Sequence, residues 1–153
     1  MSCVVALEGF PISQQFVVKE MTILFDFNEY QHFHFNTPVN LIIGPRDWNT
    51  IRYNQDHNGL MLRNDSFLPY EVIGYILSQL AHYRIYTAGN QPKSFLSQYI
   101  PNTDIVDICE EYSFKYPLIL QDAPCFISHP SRYCSLSKAK TLKSAVQIFQ
   151  IGN

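Results

Sequence analysis

Cys125, His129 and Cys134 place three good zinc ligands within ten residues, spaced Cys-x3-His-x4-Cys. Thiolate and imidazole donors at this compact spacing suit one structural zinc ion. Pro124 and Pro130 stiffen the segment. A tetrahedral ion needs a fourth donor from elsewhere in the chain. Glu20 is the leading candidate: it sits mid-strand on the face read as Phe16, Val18 and Leu24, where an unpaired carboxylate is costly to bury. Cys109 is the other candidate, although it also reads as a helix residue packed with Ile105 and Ile108. The plainer reading makes Cys125 and Cys134 ordinary small buried residues, but it leaves Glu20 without a rationale.

The remaining reactive side chains carry weaker patterns. His32 and His34 alternate onto one strand face and read as surface or hydrogen-bonded residues rather than ligands. His57, in Asp56-His57-Asn58-Gly59, reads as a loop residue, and Cys3 as core. Cations concentrate towards the C-terminal end in Arg132, Lys138, Lys140 and Lys143. Lys140 and Lys143 are three apart on one helix and share a face. Such a face is either a solvated surface or a patch that contacts the phosphates of single-stranded RNA, with Tyr and Phe rings available to stack on unpaired bases.

Composition bounds these readings. The chain has 153 residues, 46% apolar and 14% aromatic, which is enough for one self-supporting domain over 1–153. Charged residues are only 16% and the net charge is −2, so there is no global basic footprint and any nucleic-acid affinity must be local. No apolar run approaches the roughly 20 residues of a membrane span, so no membrane partner is expected. Met1-Ser2-Cys3-Val4-Val5 does not read as a secretory leader, and four Cys without one suggest an intracellular, reducing setting. No pattern points to a small-molecule substrate.

The elements that must position these residues follow from periodicity. Residues 3–7 form an apolar run, 16–25 are apolar on both faces, and 30–36 alternate after an Asn28-Glu29 turn, which predicts an antiparallel three-strand meander. Asn, Asp, Gly and Pro across 37–69 predict a loop. A stripe of Val72, Ile73, Ile76, Leu77 and Leu80 predicts a helix over 70–81. A strand over 84–88, a helix opening near Pro92, a short helix over 104–112 and a last helix over 135–149 complete an α/β layered domain.

That order resembles the ribonuclease-H-like fold of the proofreading-type (DEDDh) exonucleases. The resemblance implies a mixed sheet whose first three strands are antiparallel, flanked by helices. Ala6-Leu7-Glu8-Gly9 stands where that family has its Asp-x-Glu metal pair: Glu8 keeps the Glu, and Ala6 replaces the Asp. In Tyr86-Thr87-Ala88-Gly89-Asn90-Gln91-Pro92-Lys93, Lys93 falls at the second acidic position. In Tyr133-Cys134-Ser135-Leu136-Ser137-Lys138-Ala139, Tyr133 replaces the His and Lys138 the last Asp. Clustered carboxylates are needed to hold two divalent ions, so the resemblance implies a lost two-metal site and no catalytic residues.

The ordered set Glu20, Cys125, His129 and Cys134 further resembles the Maelstrom domain. That ribonuclease-H-like relative has lost the catalytic acids and carries a Glu-Cys-His-Cys zinc set. Phe16-Val17-Val18-Lys19-Glu20-Met21-Thr22-Ile23 matches its Glu-bearing strand and His32-Phe33-His34-Phe35 the next one. The resemblance implies a zinc-stapled C-terminal segment in a pseudo-exonuclease that binds RNA or a protein partner. Its setting would be small-RNA silencing of mobile elements, or a viral or mobile-element protein. A metal-independent single-stranded RNA nuclease and a pure protein-interaction module are the rival readings.

Overall fold

The computed structural model of the chain describes residues 1–111 and 134–151. Its described strands form one five-stranded sheet in the order β3-β2-β1-β4-β5. β1 (Ser2–Ile12), β2 (Gln15–Asp26) and β3 (Glu29–His34) make the antiparallel meander. β4 (Arg84–Thr87) then pairs parallel to β1, and β5 (Ile105–Asp107) parallel to β4. One face of the sheet buries Cys3, Val5, Leu7, Met21 and Ile23 against α2 (Val72–Ser78) and α3 (Asn90–Tyr99). The other buries Val4, Ala6 and Leu24 against Ala139, Leu142, Ala145 and Val146 of α5 (Ser135–Ile151). Helices on both faces explain why β1 and β2 are apolar throughout rather than alternating.

β1 and β2 run past the sheet's centre, where Phe10, Ile12 and Val17 pack with Ile51 under α1 (Pro45–Asn58). This helix falls in the stretch expected to be loop. Its ends carry clear local signals: Pro45 at the first helical position, the Gly44 N–H donating to Asp47 Oδ2 at 2.9 Å, and Gly59 beyond the last turn at φ 70°. Its polar sequence hides the helical period, because one end of a small apolar cluster is all it has to cover. A second difference lies at 104–112, where a helix was expected throughout. Ile105, Val106 and Asp107 instead pair with Ile85, Tyr86 and Thr87, and the helix α4 is only Ile108–Glu111.

The largest departure is a one-residue bulge. Glu8 pairs with Glu20 but Gly9 pairs with Val18, so Lys19 is the extra residue of β2. The side-chain period of a strand is two, and an inserted residue exchanges the faces. Phe16 and Val18 therefore lie on the α2–α3 side, whereas Leu24 packs beneath α5. Glu20 lies two positions from Thr22 and four from Leu24, so it shares their face and not that of Phe16 and Val18, which corrects the sequence reading. Gly9 makes the bulge possible: a Cβ there would lie 2.0 Å from the Val17 carbonyl oxygen.

Candidate functional site

Where β1 meets α5 and the start of α3, the sheet opens into a cleft of about 200 Å³. Ala6 and Glu8 enter it from β1, Ala88 and Gln91 from the β4–α3 connection, and Lys138 from α5. The connection is fixed from β5, where Asp107 Oδ1 accepts the N–H groups of Gly89 at 2.8 Å and Cys109 at 3.0 Å. Gly89 sits at φ 107°, a conformation an L side chain rarely adopts. Glu8 is the one carboxylate among the described residues of this cleft, and the Lys138 ammonium is ion-paired with its Oε1. Their side chains are 9% and 20% exposed. Lys93 lies half exposed on the first turn of α3 and does not line the cleft.

Beyond the bulge, on the same face, is a buried histidine–carboxylate cluster. β2–β3 pairing sets Glu20 opposite His34 and Thr22 opposite His32. Glu20 is fully buried, and its Oε1 accepts the Ser135 N–H at 2.7 Å and the Ser135 hydroxyl at 2.8 Å. His32 Nε2 lies 3.7 Å from that oxygen and His34 Nδ1 3.8 Å from Oε2. Thr22 Oγ1 bridges His32 Nδ1 at 2.6 Å and Ser135 Oγ at 2.8 Å. One ligand atom from each of Glu20, His32 and His34 lies within 4.8 Å of the others, so this buried group could bind a metal ion. The two imidazoles, expected at the surface or in simple hydrogen bonds, are thus the donors that sequence reasoning missed. The signal was there: His-x-His on one strand beside Glu-x-Thr on its neighbour shares a face once the register is known.

The expected zinc set is only partly visible. Cys134 is buried immediately before Ser135, at the start of α5, so the chain brings it towards Glu20. Cys125, His129 and Arg132 lie outside the described residues. Cys109, the alternative fourth ligand, packs instead against the α5 side of the sheet with its thiol pKa raised by burial and by Asp107.

Lys19, the bulge residue, is 2% exposed. Its ammonium donates to the carbonyls of Phe35 and of Leu62, the latter at 2.8 Å, and lies 5.6 Å from the Phe67 ring centroid. Burial, with a smaller push from Arg63, brings its pKa down to about 7. It ties the segment after β3 to the middle of the sheet. The cations of α5 have different neighbours. Lys138 turns into the cleft, Lys140 lies 5.5 Å over the Tyr30 ring, and Lys143 is half buried near Cys3. Cys3 is a core residue whose thiol is pushed up to about 12, chiefly by burial and against the pull of Lys143.

No helix among the described residues is long and apolar enough to cross a membrane. No protein-family model matches this chain, and neither does any curated protein. Among solved structures, the chain is similar to the nuclease domain of 3'hExo, a DEDDh family member, bound to rAMP. The identity is 13% and the TM-score 0.52, over 98% of this chain and 92% of that one. With its open five-stranded mixed sheet flanked by helices, the chain has the fold of a ribonuclease-H-like exonuclease domain.

Proposed function

We propose that this chain is a catalytically degenerate exonuclease-fold module of the Maelstrom type, stabilised by one structural zinc ion, that binds single-stranded RNA without cutting it. The observation that carries this reading is the Lys138 ammonium held on the Glu8 carboxylate, with Ala6 beside it. Two-metal hydrolysis requires several carboxylates that share two divalent ions. A cleft whose one carboxylate is already paired with an ammonium has too few carboxylates to hold such ions, and Lys138 is the cation that an incoming phosphate would meet there. That the 3'hExo nuclease domain was captured with rAMP supports a ribonucleotide ligand for the same fold.

The zinc reading rests on Glu20, Cys125, His129 and Cys134, with the buried Glu20 as its described anchor. The donor types around Glu20 fit zinc, a borderline-soft ion that accepts carboxylate, imidazole and thiolate ligands alike. A bound zinc ion would supply a cross-link and no chemistry, joining β2 to the segment ahead of α5 across most of the chain's length. The Ser135 donors meanwhile hold the Glu20 carboxylate in one orientation.

Two measurements test the reading. Metal analysis of purified protein should find about one zinc per chain, and Glu20→Gln or Cys134→Ser should lower the affinity for zinc about tenfold or more. Loss of zinc should lower the melting temperature; metal-free protein of unchanged stability refutes the structural ion. In the second, magnesium or manganese should elicit no exonuclease activity on single-stranded RNA, and Ala6→Asp alone should not restore any. Metal-stimulated cleavage abolished by Glu8→Gln would show a working nuclease, whereas cleavage without added metal would favour the metal-independent enzyme. Absence of RNA binding would favour the protein-interaction module.

A further inference from the structure

Beside the Glu8–Lys138 cleft, and sharing Phe16 and Gln91 with it, lies a wider one of about 550 Å³. Its volume falls within the roughly 300–1,000 Å³ typical of small-ligand sites. None of the described residues that line it is charged. Four are glutamines: Gln14 from the β1–β2 turn, Gln15 at the start of β2, and Gln91 and Gln98 from α3. The aromatic share includes Tyr99, a residue 39% exposed, and Phe16, which meets Phe95 edge-on at 6.0 Å. A groove of amides and rings without charge selects a neutral, planar partner with donors and acceptors along its edge.

The turn that carries Gln14 is strained. Ser13 and Gln14 have φ of 50° and 65°, left-handed values that favour glycine or asparagine in a two-residue hairpin turn. The strain is held from α1. Asp47 Oδ1 accepts the Ser13 N–H at 3.0 Å, and the Ser13 hydroxyl lies 2.8 Å from the Ile42 carbonyl. The N–H groups of Ser13 and Gly44, with the Ser13 hydroxyl on Asp47 Oδ2 at 3.0 Å, keep the Asp47 carboxyl below its ordinary range. Backbone strain of this kind persists only where the surroundings enforce it, and it concentrates at functional sites. Here it fixes two glutamines at the lip of the wider cleft.

We infer that the wider cleft is a base-binding subsite that takes an unpaired adenine of single-stranded RNA, with the backbone continuing towards Lys138. The inference rests on the RNA-binding reading above and adds its substrate preference. A glutamine amide offers one donor and one acceptor side by side, which complements the N6–H and N7 edge of adenine. Unpaired RNA bases present such edges while stacking on aromatic side chains. The uncharged lining leaves the phosphate to the neighbouring cleft, where the fixed cation lies.

Fluorescence anisotropy on the whole chain, with short oligoadenylate, oligouridylate and oligocytidylate at one salt concentration, tests this. Oligoadenylate should bind about tenfold more tightly than the pyrimidine oligomers. The double variant Gln91→Ala with Gln98→Ala, both exposed, should bring all three to the pyrimidine level. Tyr99→Ala should weaken all three by about tenfold, because stacking is sequence-tolerant. Asp47→Ala, remote from the ligand, should weaken the adenine preference through the released turn. Equal affinity of the unaltered chain for the three RNAs, or a preference that survives the double glutamine variant, overturns the subsite while RNA binding stands. Failure of all three to bind overturns the RNA-binding reading and this inference with it.

Discussion

Removing one partner of the Glu8–Lys138 pair tests whether the ammonium holds this cleft together. The pair is neither a surface ion pair nor a fully buried one, with side chains 9% and 20% exposed. Exposed pairs contribute about 0–1 kcal/mol. Breaking a buried pair costs about 3–5 kcal/mol, because the remaining charge is stranded. An intermediate position puts Lys138→Met at about 2–3 kcal/mol, or roughly 5–10 °C in melting temperature for a chain of this size. Glu8→Gln on its own leaves an ammonium that can still reach water, so it should cost less. The double variant, with neither charge, should recover most of the loss and give a coupling energy of about 2 kcal/mol in a cycle of urea midpoints at neutral pH. Additivity within about 0.5 kcal/mol would show the two groups to be energetically independent and remove the cation from the argument. The coupling should survive moderate salt, since a pair this enclosed is poorly screened.

Two further predictions concern the scaffold. Gly9→Ala should destabilise by about 3 kcal/mol or more, because its Cβ would meet the Val17 carbonyl at 2.0 Å and backbone must shift; a variant with unchanged urea midpoint refutes the bulge. Cys3, pushed up to about 12, stays protonated in the fold where an unfolded thiol ionises from about 9, so its stabilisation is lost as pH rises through that window. Relative to Cys3→Ala, whose other groups titrate alike, the parent should lose about 1.4 kcal/mol per pH unit above 9, and parallel stability–pH curves would refute the buried thiol.

α2, α3 and α5 were legible because each carries an apolar period over several residues, and the meander because its strands are apolar runs set off by turn residues. α5 is the clearest case, with Leu136, Ala139, Leu142 and Val146 all buried as their spacing requires. β5 was illegible for a different reason. Three residues cannot display a period, and what makes Ile105–Asp107 a strand is the parallel edge of β4 beside it. α1 lacked a period as well, but Gly44-Pro45 and Gly59 marked both its ends. Those signals were outweighed by the Asn and Asp content between them.

At the candidate site, residue types were legible and faces were not. Glu20 stood out as a carboxylate in an apolar strand, yet its face was assigned by counting through Lys19, and the bulge reverses the count. With the unbroken count, Glu20 would lie with Val18 among the apolar side chains under α2 and α3. The inserted residue turns it to Ser135 and the two histidines. Glu8 lies on the α5 side with Lys138 by β1's own alternation with Val4 and Ala6, whereas the bulge lets Lys19 reach the opposite loop carbonyls. One glycine thus sets the direction of two charged side chains, Glu20 and Lys19. Position-by-position reading cannot find this, because the cause is the approach of Gly9 to the Val17 backbone across the β1–β2 pair. It also explains why the cleft and the histidine cluster share one face of the sheet. A lesion at Gly9 should therefore disturb the Glu8–Lys138 coupling and the Glu20 donors together, which two separately built sites would not do.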